Sequence, residues 1–174
     1  GLSQGALDIF MSRYSPNGTW LWTKQFGQTG AYIYGQSITI AASGIIAVTG
    51  YTDGNLELGS GASHGLHDYF VSTYNSAGTL QWLKQLGELD ADAFAFATAT
   101  DGNGNVFVTG YTTGKLDSCG GASSNCSGYP LSYEYFISKY NVSGVFQWTQ
   151  QYHHDGYTSN AFGITTDISG NVFV

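Results

Sequence analysis

Apolar and polar residues alternate along this chain in short stretches that are separated by turns rich in glycine, asparagine and serine. In residues 94–100, Phe94 and Phe96 alternate with alanines, which is the period of two expected of a β-strand with one small-residue face. Residues 101–105 have the composition of a tight turn, and residues 106–111 are rich in β-branched and aromatic side chains. Two further strands are predicted at 135–140 and 145–150, on either side of a turn at 141–144. The pattern therefore predicts four antiparallel strands joined in sequence.

This four-strand unit recurs, and its small-residue first strand is predicted again at residues 37–41 and 163–166. Residues 48–52, Val-Thr-Gly-Tyr-Thr, are identical to residues 108–112, which lie 60 positions later. An acidic residue, an aromatic strand, a glycine turn and a tryptophan also follow one another three times, with acids 60 and then 66 positions apart. The acids are Asp8, Asp68 and Glu134, and the tryptophans are Trp22, Trp82 and Trp148. A period of this length is typical of repeat proteins, in which each unit buries its apolar face against its neighbours.

The arrangement within each unit predicts an all-β fold, a β-propeller built of four-stranded antiparallel blades. Small residues on the first strand suit the crowded centre of a propeller, and the outer strands have room for aromatic side chains. A β-sandwich would not repeat such a unit, and a β-helix has shorter rungs. About three blade equivalents are predicted: a half blade at 1–33, blades at 34–92 and 93–157, and a half blade at 158–174.

Three blades are fewer than the roughly four to eight that close a ring. We therefore expect the chain to be a piece of a longer propeller, or one protomer of a propeller completed between chains. On this hypothesis residues 1–174 alone do not form an autonomous monomer, because unpaired strand edges associate readily.

Residues 68–87 and 100–112 resemble the bacterial seven-bladed β-propeller repeat (SBBP-type) family. The resemblance rests on an aspartate-aromatic strand, a glycine turn, Trp-x-Lys-Gln, an Asp-x-x-Gly-Asn turn and a Val-Thr-Gly strand, and it extends over nearly the whole chain in three copies. The chain departs from this pattern at Ala41, where the turn aspartate is expected, and at Gln150, where the lysine is expected. The resemblance implies a secreted or surface-exposed repeat module without catalysis, and it names no ligand.

The charge and the composition narrow the classes of partner. The formal net charge is −7 and only 10% of residues are charged, which disfavours nucleic acid and anionic membrane surfaces as partners. The aromatic content of 16% is too high for a disordered segment and predicts a packed core. No apolar run approaches the length of a membrane span.

Cysteines and glycosylation sequons both favour an extracellular location. Cys119 and Cys126 fall in the loop that makes the third unit longer, and a disulfide between them would restrain that loop. Two unpaired thiols are the alternative. Asn17, Asn125 and Asn141 each begin an Asn-x-Ser/Thr triplet in a predicted turn or loop, so glycosylation is sterically possible at all three.

The sequence provides only weak evidence for metal sites. The turn at 101–105 starts like a calcium loop, but the positions that require glycine and glutamate hold Val106 and Thr112, so a hairpin turn is favoured. Zinc ligands at His64 and His67 or at His153 and His154, and a calcium site at Asp90 and Asp92, are alternatives to solvated loops. We predict no metal, no cofactor and no catalytic residue.

The recurring acids and tryptophans are predicted to be structural. Asp8, Asp68 and Glu134 are expected to accept hydrogen bonds from backbone amides of a neighbouring loop, with a calcium-binding ring of carboxylates as the alternative. Trp22, Trp82 and Trp148 are expected to pack between blades, with Trp82 largely buried, rather than to act as sugar-stacking platforms. Trp20 has no equivalent in the other units, which makes it a candidate for an exposed aromatic residue.

Two hypotheses about function follow. The first is a non-catalytic structural or adhesive module of an extracellular or cell-surface protein, such as a filament-forming glycoprotein, whose partners are further propeller repeats or identical neighbouring chains. The second is a lectin-like propeller that binds glycans through aromatic and amide side chains of its loops. An enzyme ranks third, because no acid/base constellation rises above the repeat.

Overall fold

The computed structural model describes residues 4–56, 65–116, 133–152 and 157–174. Every element of regular structure within these ranges is a β-strand, so the all-β prediction is confirmed. The strands are β1 (Ile9–Tyr14), β2 (Trp20–Phe26), β3 (Ile33–Ile40), β4 (Ile46–Thr52), β5 (Asp68–Tyr74), β6 (Leu80–Leu86), β7 (Ala93–Thr100), β8 (Val106–Thr112), β9 (Glu134–Tyr140), β10 (Phe146–Tyr152), β11 (Thr165–Thr166) and β12 (Val172–Phe173).

The strands form two four-stranded and two two-stranded sheets, all antiparallel. The four-stranded sheets have the orders β3-β4-β5-β6 and β7-β8-β9-β10, so each strand pairs with the next one along the chain. The strands β1 and β2 form the first small sheet, and β11 and β12 form the last. The four antiparallel strands predicted for each repeat are therefore present.

Neighbouring sheets pack face to face through the first strand of each. Strand β7 lies against β3 and β4 of the preceding sheet and against β11 of the following one. It can approach so closely because the residues facing its neighbour are Ala93 and Ala95, both fully buried. The main core lies between the two four-stranded sheets and includes Tyr69, Val108 and Phe136. A second core lies between the first two sheets, around Met11 and Phe70.

Strands β3 and β7 each carry a β-bulge that the alternation of residues did not reveal. The register shifts between Gly35 and Ser37 in β3, and between Ala95 and Ala97 in β7. As a result β3 starts at Ile33, four residues before the strand predicted from residue 37, and β7 keeps Phe94 and Phe96 in one aromatic group. A bulge bends a strand and strengthens its twist, which suits the first strand of a strongly twisted sheet.

Candidate functional site

The valine and the threonines of the repeated Val-Thr-Gly-Tyr-Thr sequence have different structural roles. In β8, Val108 is fully buried, and the hydroxyl of Thr109 donates to the carbonyl oxygen of Phe136 at 2.6 Å. The hydroxyl of Thr112 accepts from the amide of Gly114 at 2.9 Å and so shapes the loop that follows. The equivalent Thr49 donates to the carbonyl oxygen of Phe70, also at 2.6 Å. The repeated sequence therefore joins the second strand of each sheet to the third.

The glycine of this sequence is required by the bulge opposite it. A Cβ atom on Gly110 would lie 1.8 Å from the carbonyl oxygen of Phe94, and one on Gly50 would lie 1.8 Å from that of Tyr34. No side chain fits at such a distance from backbone. The two glycines recur because the two bulges recur.

The recurring acids belong to a network that includes a recurring glutamine. Gln85 accepts at Oε1 from the amide of Leu56 at 2.7 Å, and its Nε2 donates to the carbonyl oxygen of Gly54 at 2.8 Å and to Asp68 at 2.7 Å. Both Gln85 and Asp68 are buried. The glutamine thus connects the third and fourth strands to the loop that follows the second strand.

The other two repeats contain the same pair. Gln151 accepts from the amide of Leu116 at 2.9 Å and donates to the carbonyl oxygen of Gly114 at 2.8 Å and to Glu134 at 2.6 Å. Gln25 donates to Asp8 at 2.7 Å. The carboxylate of Asp8 also accepts from the backbone amides of Gln4 and Gly5, at 2.8 and 2.7 Å. These are bonds of the kind predicted from the sequence for the repeated acid.

Two of the repeated tryptophans contact the hairpin turn of the next sheet. The indole Nε1 of Trp82 donates to the carbonyl oxygen of Val142 at 3.0 Å, and its ring lies over Gly144, where a Cβ would approach to 2.6 Å. Trp22 lies in the same way against Gly78, with 3.1 Å between its Cη2 and a Cβ placed there. Trp148 is half-buried and its ring centroid lies 6.2 Å from that of Phe107 in its own sheet.

Trp82 packs against the core between the two four-stranded sheets, and its exposure is intermediate because its indole also lies across the outer turn of the next sheet. One of the fully buried aromatic residues at this boundary is Tyr69. Its hydroxyl donates to Oγ of Ser138 at 3.0 Å and lies 2.8 Å from the hydroxyl of Tyr140. Burial raises the pKa of Tyr69 to about 12, against the opposing effect of these hydrogen bonds.

A group of half-exposed aromatic rings, here called the aromatic cluster, follows the strand ends at one edge of the sheets. Its ring centroids are 4.6 Å apart for Tyr51 and Phe94, 5.1 Å for Phe94 and Tyr111, and 5.2 Å for Phe96 and Phe162. The full cluster is Tyr34, Tyr51, His67, Phe94, Phe96, Tyr111, Tyr133 and Phe162. It spans residues of both four-stranded sheets and of the segment before β11.

Polar groups border the aromatic cluster. The Nδ1 atom of His67 lies 2.8 Å from Oδ1 of Asp92. Burial raises the pKa of Tyr111, and the nearby Tyr133, Asp92 and Tyr51 add to the rise. The pKa of Tyr51 is raised as well, by burial and then by Tyr34. These phenols therefore stay neutral hydrogen-bonding groups at physiological pH.

The turns between the first two strands are closed by an aspartate in two of the repeats. The carboxylate of Asp101 accepts from the amides of Asn103 and Asn105, both at 2.9 Å, and from the side chain of Asn105. Burial alone would raise the pKa of Asp101, but these hydrogen bonds lower it. Side-chain and backbone bonds from Asn171 lower the pKa of Asp167 in the same way. This is the hairpin turn that the sequence predicted in preference to a calcium loop.

The other candidate residues occupy turns or lie outside the described residues. Asn17 is exposed in the β1–β2 turn, whereas Oδ1 of Asn141 accepts from the amides of Ser143 and Val145. Trp20 is 60% exposed. Asp90 has a φ of 60°, in the turn where the equivalent Gly30 has 80°. Outside the described residues lie Asn125, Cys119, Cys126, His64, His153 and His154.

The described residues contain no group of three or more His, Cys, Asp or Glu side chains placed to hold a metal ion. In the same part of the chain, no helix has the length and apolar character needed to cross a bilayer.

Comparison with known families identifies the repeat. Residues 81–117 match the model of the SBBP family, described as a beta-propeller repeat. The chain carries a β-propeller repeat. The match begins within β6 and runs through β7 and β8, so the β-propeller fold predicted from the sequence is confirmed, and the matched segment spans two sheets. No curated protein matches the chain.

Sequence reasoning missed the glutamine that binds each acid. Gln25, Gln85 and Gln151 lie at equivalent positions, three residues after each repeated tryptophan. That recurrence was a usable signal, because a polar residue that returns at a fixed position near a strand end has a fixed partner. The aromatic cluster carried no such signal, since its members come from seven separate segments.

Proposed function

We propose that this chain is a non-catalytic structural or adhesive module of an extracellular protein and that it assembles with further propeller repeats. The supporting observation is a difference in exposure between equivalent residues. Phe10 is 75% exposed, whereas Phe70 and Phe136, at the same position of the next repeats, are 1% and 0% exposed. A side chain that is buried in the core of two repeats and exposed in a third indicates a surface to which another repeat could bind.

The repeated polar residues support a non-catalytic role. Asp68 and Glu134 are buried, and each accepts a hydrogen bond from the glutamine of its own repeat. A general acid or base must reach a substrate within hydrogen-bonding distance. Carboxylates engaged in this way inside a sheet serve to hold strands together.

The extracellular location is a proposal based on surface chemistry. Exposed Asn17 begins a sequon, its turn is accessible, and the net charge of −7 disfavours nucleic-acid partners. The test is to add protease to intact source cells and to detect this chain with a specific antibody. Loss of the chain while a cytoplasmic control protein survives is the expected result. Survival of the chain until the cells are lysed would contradict the location.

A lectin-like function is the second candidate, and the aromatic cluster favours it. Sugar rings present apolar C–H faces that stack on aromatic side chains and hydroxyl groups that need polar partners. The cluster supplies half-exposed rings at Tyr51, Phe94 and Phe96, with the His67–Asp92 pair at its border. Neutral oligosaccharides fit this chemistry better than acidic ones, given the net charge of the chain.

Binding of the chain to an array of neutral oligosaccharides tests this candidate. Phe94→Ala should abolish any binding detected. The matched control is Phe146→Ala, since Phe146 is 47% exposed and lies outside the aromatic cluster. Near-ultraviolet circular dichroism checks that both variants are folded. No binding by the parent chain, or equal binding by the two variants, would rule out a glycan site in the cluster.

A further inference from the structure

A cavity of about 220 Å³ lies between the first two sheets. Apart from Ile33, the strand residues that line it belong to β1, β2, β5 and β6, which are the third and fourth strands of their repeats. The cavity is therefore formed by the outer strands of both sheets. Most of its lining is apolar: Ile9, Phe26, Ile33, Leu56, Phe70 and Leu83.

The repeat explains why there is space at this boundary. Ile9 has the position that Tyr69 and Tyr135 have in the next two repeats, directly after the repeated acid. Between the two four-stranded sheets the ring of Tyr69 is fully buried, and its centroid lies 5.0 Å from that of Phe136 in a stacked orientation. Isoleucine is shorter than tyrosine, so the outer half of this ring and its hydroxyl have no counterpart in the side chain of Ile9.

Two larger side chains compensate for this only in part. Phe26 and Ile33 stand where the next boundary has Leu86 and Ala93, and the ring centroid of Phe26 lies 4.7 Å from that of Tyr74. The cavity remains in spite of them. An apolar cavity of roughly 150 Å³ is enough to bind benzene. The cavity between the first two sheets therefore has room for one substituted six-membered ring.

One wall of the cavity carries a buried hydroxyl group. Between the two four-stranded sheets, the hydroxyl of Tyr69 donates to Oγ of Ser138 at 3.0 Å and lies 2.8 Å from the hydroxyl of Tyr140. The equivalents of these two partners are Ser72 and Tyr74, which are buried and hydrogen-bonded to each other, and Tyr74 lines the cavity. A phenolic oxygen can accept as well as donate, so Tyr74 can take a further hydrogen bond from a ligand.

We propose that this cavity binds a small neutral phenol. The ring packs beside Ile9 and Phe70, and its hydroxyl donates to the phenolic oxygen of Tyr74, as a counterpart of the buried Tyr69 side chain. None of the described residues that line the cavity carries a charge, so an ionised ligand would lose its hydration without a partner. Leu80, which also lines the cavity, is 47% exposed and marks its opening to solvent.

Titration of the intact chain with phenol, followed by nuclear magnetic resonance, tests the site. Saturable binding is expected, with nuclear Overhauser contacts from the phenol ring to the methyl groups of Ile9 and Leu83. Ile9→Tyr places a ring in the cavity and should abolish this binding. The matched control is Leu89→Tyr, which adds the same side chain at a loop residue that is 72% exposed and lies outside the cavity lining. It should bind phenol like the parent.

Tyr74→Phe tests the hydrogen bond separately from the space. The affinity for phenol should fall about fivefold, the effect of one buried hydrogen bond. The affinity for toluene, which has nearly the same shape and no hydroxyl, should stay unchanged. An equal change for the two ligands would show that Tyr74 is not the partner of the phenol hydroxyl.

Two results would overturn the proposal: no saturable binding of phenol by the parent chain, or contacts from bound phenol only to residues outside the cavity. Near-ultraviolet circular dichroism checks that each variant is folded. Ile9→Phe provides a second cavity-filling variant if Ile9→Tyr does not fold. The inference goes beyond the proposed function and is independent of it, because the site lies within one chain and requires neither a neighbouring repeat nor an extracellular location.

Discussion

At the scale of single residues, the repeat is determined by backbone contacts that tolerate no extra atoms. Gly50 and Gly110 face the carbonyl groups of bulged strands, and each threonine before them donates to the next strand. The sequence shows that these residues are repeated. It does not show why glycine is needed, because the bulge opposite Gly110 lies in a different strand.

Gly110→Ala should therefore destabilise the protein strongly. A Cβ 1.8 Å from the carbonyl oxygen of Phe94 forces β7 and β8 apart, and overpacking of this kind costs about 3 kcal/mol. The control is Gly102→Ala, where nothing lies within 4 Å of the added atom, and it should change the free energy of unfolding by less than about 0.5 kcal/mol. Urea denaturation of both variants measures the difference. Equal midpoints would show that the bulge is not present in solution.

Gln85→Glu tests the buried pair of acid and glutamine. The substitution removes the donor to Gly54 and Asp68 and places a second carboxylate beside Asp68, so it should cost about 3 kcal/mol at pH 7. The loss should shrink as the pH falls from 7 towards about 4, because the introduced carboxyl is then protonated and no longer repels a neighbouring carboxylate. Gln81→Glu, on the exposed side of the same strand, should be nearly neutral at both pH values.

At the scale of elements, alternation predicted the strands well wherever a strand is regular. The four strands β7 to β10 lie within two residues of the predicted ranges, since their side chains alternate between neighbouring sheets. The start of β3 was missed because Gly35 and Gln36 lie at a bulge, where the pairing and not the side-chain pattern keeps the strand extended. The hydrogen bond of Trp82 was not predicted for a related reason: its partner is a turn 60 residues further along the chain.

The buried tyrosine between the two complete sheets should make stability depend on alkaline pH. The pKa of Tyr69 is about 12 in the folded protein and near 10 in the unfolded chain, so the unfolded state loses its proton first. Stability should fall as the pH rises from about 10 to 12, by at most about 1.4 kcal/mol per pH unit from this group. Tyr69→Phe should reduce that slope, whereas Tyr14→Phe, on an exposed ring, should leave it unchanged. Parallel slopes in all three proteins would contradict the assignment.

At the scale of the whole molecule, the sequence predicted the number and order of the repeats, but not which of their surfaces are covered by a neighbour. Periodicity finds equivalent residues but cannot tell which of them a neighbour covers. Phenylalanine occupies the same position in three repeats, as Phe10, Phe70 and Phe136. The side chain is 75% exposed in the first of these and 1% and 0% exposed in the other two. The aromatic cluster is likewise a product of how sheets are placed beside one another.

Protein purified from its native source should carry the modifications of a secreted protein, namely glycan and a disulfide bond. Asn17 lies in an accessible turn and is expected to bear glycan in a glycosylating cell, whereas Asn141 uses its Oδ1 to close its own turn and should be modified less. Cys119 and Cys126 are expected to form a disulfide. Non-reducing peptide mapping by mass spectrometry checks both. Free thiols and an unmodified Asn17 peptide would argue for a reducing compartment.

The segment that matches the family runs from β6 of one sheet to the end of β8 in the next. The matched sequence repeat is therefore out of step with the four-stranded sheet. A gene fragment cut at residues 81 and 117 encodes strands of two different sheets and completes neither. Cutting within the loops between sheets, near residues 87–92, would instead release whole sheets. Designers who wish to lengthen or shorten this array should therefore place their junctions in those loops and not at the borders of the sequence repeat.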